Sequence, residues 1–146
     1  MKALPLAVLA LLALAGCDVF SSDDSVPFER LALPAHPVHV NGTTVIREQW
    51  RLETFARGTS GEMVPLPDVD FERQLVVGVF YGGSLHYGCG GPIEVVRAVR
   101  ASGDALVVEI GPLPDLGPCR GNVYPAEMVV VDAASRDVRF VGDVPG

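Results

Sequence analysis

Residues 75–80 read LVVGVF, an apolar run with no polar residue to mark a solvent-facing side. An apolar run of four to eight residues, rich in β-branched and aromatic side chains, predicts a strand buried on both faces. Such a strand needs a layer of chain on each side and a place in the middle of its sheet. It therefore requires the rest of the chain to supply two coverings.

The sequence that follows is written in short strands separated by turn residues. Residues 93–99 and 105–110 flank Ser102-Gly103-Asp104, a hairpin connection, and residues 128–132 and 138–141 form a second expected pair around Ala134-Ser135-Arg136. The short links predict antiparallel pairing, because a parallel pair needs a crossover of about a dozen residues or more. Upstream, residues 47–57, REQWRLETFAR, predict the one helix. Glu48 and Arg51, and Glu53 and Arg57, are spaced as helical ion pairs, and Leu52, Phe55 and Ala56 share a face. Trp50 and Leu52 also alternate as in a strand. Gly58, Gly61, Pro65 and Pro67 end the helix. Asn41-Gly42, between His39-Val40 and Val45-Ile46, is a tight-turn signal for a small hairpin. The expected fold is α+β and mainly β, a small antiparallel sheet of five strands with one helix near its N-terminal side.

Two loops interrupt this regularity. Residues 82–92, GGSLHYGCGGP, follow the central strand, and residues 112–125, PLPDLGPCRGNVYP, follow residues 105–110. Each carries one cysteine, Cys89 or Cys119. In an exported chain the pair is most simply a disulfide, and a loop of about thirty residues closed that way is worth roughly 3.5 kcal/mol. A free thiol or a metal site are the alternatives. A disulfide would gather both loops at one end of the sheet, where a rigid scaffold displays binding residues. Leu85, His86, Tyr87, Arg120 and Tyr124 are the candidate partner-binding residues there. The competing reading is that the glycines and prolines only turn corners.

The N-terminus explains why export is expected. Met1-Lys2 is a cationic start, the run from Leu4 to Leu14 is apolar, and at about a dozen residues it is too short to span a bilayer, which takes about 20. Leu14-Ala15-Gly16-Cys17 looks like the lipobox of bacterial lipoproteins. That resemblance implies removal of residues 1–16 and a diacylglycerol on Cys17, holding the protein at an inner or outer membrane with its domain in the periplasm or at the cell surface. Acyl chains contribute about 0.8 kcal/mol per buried CH₂, so two or more anchor almost permanently. Residues 17–27 then read as the lipidated cysteine and a tether rich in serine and aspartate, and residues 28–146 as a single domain.

Charge narrows the partners. Lys2 is the only lysine, so removing the signal takes the net charge from −7 to −8. Nucleic acid and anionic headgroups are repelled by that balance, which leaves a neutral or basic partner. Motifs for chemistry are sparse. His86 and Cys89 suggest a thiolate–imidazole pair, and with Cys119 a three-ligand zinc site, but a disulfide removes both. His36 and His39 are spaced H-x-x-H among prolines, so no helix brings them onto one face. Asp68, Asp70 and Glu72 alternate in the manner of oxygen ligands for calcium, without the glycine and distal glutamate of an EF-hand loop, which favours helix capping or a solvated turn. No phosphate loop and no G-x-S-x-G elbow is present. The expectation is a chain without catalytic residues, metal or cofactor.

Pro67-Asp68-Val69-Asp70-Phe71, then residues 75–80, a glycine-rich turn, Ile93 and its strand, and Met128-Val129-Val130-Val131 together resemble the PrcB C-terminal domain family. The resemblance covers residues 46–141 and includes the Trp50 helix. Members typically carry a threonine-glycine-glycine-tyrosine turn after the central strand; here Tyr87-Gly88-Cys89-Gly90-Gly91-Pro92 stands in its place. The family takes its name from a lipoprotein subunit of a surface protease complex. The resemblance thus implies an accessory or protein-binding role, with an envelope protein such as a protease as partner. A protease inhibitor or a small-ligand-binding lipoprotein is the alternative reading.

Overall fold

The computed structural model describes residues 24–32, 40–56, 65–82, 86–89, 92–133 and 136–146. The signal segment, the lipobox with Cys17, His36, His39, Arg57, Gly58, Gly61 and Leu85 lie outside the described residues. In chain order the elements are β1 (Phe28–Arg30), β2 (Asn41–Ile46), α1 (Gln49–Ala56), β3 (Leu75–Tyr81), β4 (His86–Gly88), β5 (Val96–Ser102), β6 (Ala105–Ile110), β7 (Gly121–Val123), β8 (Ala126–Val131) and β9 (Asp137–Gly142). The protein is α+β and mainly β, with one helix and small sheets among the described residues whose strand pairings are antiparallel except for one.

β3 sits inside a four-stranded sheet of order β1-β8-β3-β2, all antiparallel, with its first six residues fully buried. Its two faces meet different coverings. Leu75, Val77 and Val79, with Val129 and Val131 of β8, pack against Val96, Val99, Leu106, Val108 and Ile110 of a second sheet of order β5-β6-β9. Val76 and Phe80, with Met128 and Val130, pack against Leu52 of α1 and against Val69. The unbroken apolar run is thereby explained, because strand alternation sends successive side chains into two separate cores. α1 is shorter than the span 47–57, with Leu52 fully buried and Phe55 stacked on Phe80 at 5.3 Å. Glu48 accepts a hydrogen bond from Trp50 Nε1 at 2.8 Å.

Residues 24–31 join the two sheets. Val26 N donates to Val99 O and Ala101 N donates to Asp24 O, both at 2.7 Å, whereas Leu31 N donates to Met128 O at 2.9 Å. In an extended chain even and odd residues send their polar groups to opposite sides. Asp24 and Val26 therefore serve β5 and Leu31 serves β8, so one extended segment bridges that flank. The last residues of the expected tether, from Asp24, are consequently part of the folded structure.

Several expectations change. Nine strands are present among the described residues rather than five. Asn41-Gly42 does not turn a hairpin: both residues already pair with β3, opposite Tyr81 and Phe80, and Gly82 N carries the ladder on to Val40 O. The long buried β3 offers a partner along its whole length, which overrides the local turn signal. The strand expected over 93–99 begins at Val96. β8 and β9 do not pair with each other. β9 instead runs parallel to β6, Ala105 opposite Asp137 through Ile110 opposite Gly142. Val138 and Phe140 reach the core between the sheets from that position. The crossover a parallel pair requires is supplied by the 111–125 loop and by β8, which passes through the other sheet. The 102–105 hairpin forms as expected, with Gly103 at φ 62° in a two-residue turn.

Candidate functional site

Strand direction gives the molecule two poles. Leu75 and Val131 pair at one, where Asp24 also meets Ala101 and the β5–β6 hairpin turns. At the other lie Tyr81, Ala126, Val96 and Ile110, the ends from which the two cysteine loops emerge. Cys89 and Cys119 are joined in a disulfide with their Cα atoms 4.6 Å apart. Next to it, β4 and β7 pair as a short antiparallel ribbon, His86 opposite Val123, Tyr87 opposite Asn122 and Gly88 opposite Gly121. The glycine-rich spelling of both loops hides these strands from a pattern search.

The ribbon is seated by close backbone approach. Cys89 N donates to Leu116 O at 2.7 Å, and a Cβ on the buried Gly88 would stand 2.3 Å from the Leu116 Cβ, so only glycine fits. Gly117 follows with φ 86°, its N–H held by Asp115 Oδ1 at 2.9 Å. Alternation along β4 then divides the candidate residues. His86 turns inward and meets the Tyr81 ring edge-on, centroids 6.2 Å apart, while Tyr87 turns outward with 65% of its surface exposed. Arg120 is exposed and Tyr124 half-buried. Tyr87 and Arg120 are thus free to meet a partner, and His86 is committed to packing.

Beneath the ribbon lies a polar arrangement that sequence reading missed. Among the described residues Glu127 is the one charged side chain in the core. Its Oε2 accepts the consecutive N–H groups of Val95 and Val96, at 2.6 and 2.8 Å, and its Oε1 accepts Arg30 Nε at 2.8 Å. Arg30 Nη2 donates onward to Val96 O at 3.1 Å. Successive N–H groups of a regular strand point to opposite sides, so one oxygen binding both marks a bend, and the register of β5 against β6 shifts just beyond it, between Val96 and Ala98. Here β1 has moved off β5 toward β8, and the carboxylate takes the place of the missing strand's carbonyls. The cue in the sequence was a lone acid in the apolar run AEMVVV, since a buried charge requires partners. Tyr81 is half-buried and neutral. Its hydroxyl is buried without a hydrogen-bond partner among the described residues, and burial first, then Asp143 and Glu127, pushes its pKa above the ordinary value of 10.0.

The disulfide removes Cys89 as a nucleophile and both sulfurs as zinc ligands. Among the described residues no group of three or more His, Cys, Asp or Glu is placed to hold a metal ion. Asp70 caps a turn: its Oδ1 accepts Glu72 N at 3.1 Å and its carbonyl accepts Arg73 N and Gln74 N. No family model, no curated protein and no solved structure matches the chain.

Proposed function

We propose that this chain is a membrane-anchored envelope lipoprotein, lipidated at Cys17 after removal of residues 1–16, whose folded part is a non-catalytic protein-binding or accessory subunit. The observation that carries the reading is the disulfide-stapled ribbon, which holds the exposed Tyr87 and, beside it, Arg120 at one pole of a rigid double-sheet scaffold. Aromatic and arginine side chains are enriched where protein interfaces form, and a surface ordered before binding loses less entropy on association. The resemblance of residues 46–141 to PrcB C-terminal domains supports a protease complex as the setting. Among the described residues no helix is long and apolar enough to cross a membrane.

Full-length protein extracted in mild detergent after light crosslinking tests the reading. The expected result is a defined envelope protein captured by the wild type and lost from the Tyr87→Ala variant. Recovery of the wild type alone, under conditions that preserve other envelope complexes, sinks it. A protease inhibitor is the second reading, favoured by the covalent clamp on the 112–120 loop with its three prolines. Adding purified domain to envelope proteases separates the two, because an accessory subunit leaves their turnover of small substrates unchanged.

A further inference from the structure

Where the chain enters the fold decides which pole faces the membrane. Asp24 is bonded through its carbonyl to Ala101 N, beside the β5–β6 turn. The chain runs from there toward Arg30 and the Glu127 corner, so Asp24 is the end of this segment remote from the disulfide ribbon. Seven residue steps separate Asp24 from Cys17, at most about 25 Å when fully extended. The seven residues of β5 alone span about 20 Å between the poles, and the ribbon lies beyond their far end.

From this geometry we infer that the domain stands on the membrane with a preferred polarity: the pole at Asp24 and Gly103 lies next to the bilayer, and the Cys89–Cys119 ribbon faces away from it. The inference rests on lipidation of Cys17. The occupant of the ribbon surface is then a protein that stands off the bilayer, not the lipid surface itself. To bring Tyr87 down to the headgroups, the tether would have to extend almost fully along the flank of the domain. The exposed face of the ribbon carries Tyr87 and Asn122, with Arg120 beside it, groups suited to hydrogen bonding and stacking with a protein and too few and too polar to insert in acyl chains.

The single tryptophan provides the test. Trp50 is 63% exposed and follows closely on Ile46, which pairs with Val76 at the membrane-side pole. The double variant Trp50→Phe/Tyr87→Trp moves that probe to the ribbon, at two exposed positions where neither change disturbs the core. Full-length protein is reconstituted into phosphatidylcholine vesicles carrying dansyl-labelled headgroups, the neutral lipid being chosen because Asp24, Asp104 and Asp132 are exposed at the near pole. Lipid on Cys17 is established by mass spectrometry of the same samples. The expected result is energy transfer from Trp50 to the headgroups several-fold more efficient than from tryptophan at 87. Equal or stronger transfer from position 87 in lipidated protein overturns the polarity while leaving the anchor in place. Absence of lipid on Cys17 overturns both.

Discussion

Arg30 and Glu127, 97 residues apart in the chain, form a charged hydrogen bond of 2.8 Å at the corner where the two sheets part. The same carboxylate holds the N–H groups of Val95 and Val96, so three segments of chain converge on one buried side chain. Arg30 is 39% exposed and rehydrates when its partner is removed, but the buried Val95 and Val96 N–H groups do not, and at about 1–3 kcal/mol for each buried donor left without an acceptor the two together cost about 2–6 kcal/mol. Glu127→Ala is expected to lower stability by that amount in urea or guanidinium titrations. Glu127→Gln keeps an acceptor for the backbone and loses the ion pair, and should cost about 1.5–3 kcal/mol. Equal stability of all three proteins would show that the corner is held by packing alone.

The disulfide should stabilise the ribbon pole more than the core. Closing its loop is worth about 3.5 kcal/mol in the chain-entropy account. The Cys89→Ala/Cys119→Ala variant is expected to lose about that much, with faster amide exchange at Tyr87, Asn122 and position 89 and continued protection of Val77 and Val129. Uniform acceleration across β3 and β8 would mean instead that ribbon and core open as one unit.

Tyr81 predicts an alkaline limit. Its folded pKa lies above 10.0, so the unfolded chain releases the proton first as pH rises. The stability linked to this group is fully present below about pH 10 and declines as pH climbs from there toward the folded pKa. Tyr81→Phe should flatten that decline while leaving neutral-pH stability within about 1 kcal/mol, because the hydroxyl makes no hydrogen bond to a described residue. Identical alkaline unfolding curves for the two proteins would contradict the prediction.

Tyr87 separates folding from recognition. An exposed residue outside any bonded network changes stability by less than about 0.5 kcal/mol when truncated, whereas a central interface aromatic commonly costs 2 kcal/mol or more in binding. Tyr87→Ala should therefore unfold at an unchanged temperature and lose about thirtyfold in partner affinity by titration calorimetry. An effect on the melting temperature without one on affinity would reverse the assignment.

Cys17→Ala completes the set. It is expected to move the protein from the membrane to the soluble fraction on cell fractionation with its circular dichroism and melting temperature unchanged, since Cys17 lies seven residues before Asp24, the first described residue bonded to the sheets. Loss of folding in that variant would show that anchor and domain are not separable.

Local periodicity carried much of the fold. The run 75–80 by itself announced a strand buried on both sides, residues 102–105 announced a hairpin, and Leu52 with Phe55 announced the inward face of a helix, because each of these depends on neighbours a few residues away. Cys89 and Cys119 likewise named their own bond once export was assumed. Pairing between distant segments was not legible in the same way. Asn41-Gly42 spelled a turn, yet β3 drew both residues into a ladder. β9 looked like the partner of β8 until Val138 and Phe140 found the core of the other sheet beside β6. Glycines spelled loops where β4 and β7 pair, since the residues that let two backbones approach are also those that mark turns. The role of Glu127 depended on where β1 leaves β5, a position set by how two sheets close on each other and by no feature of the strand that carries it.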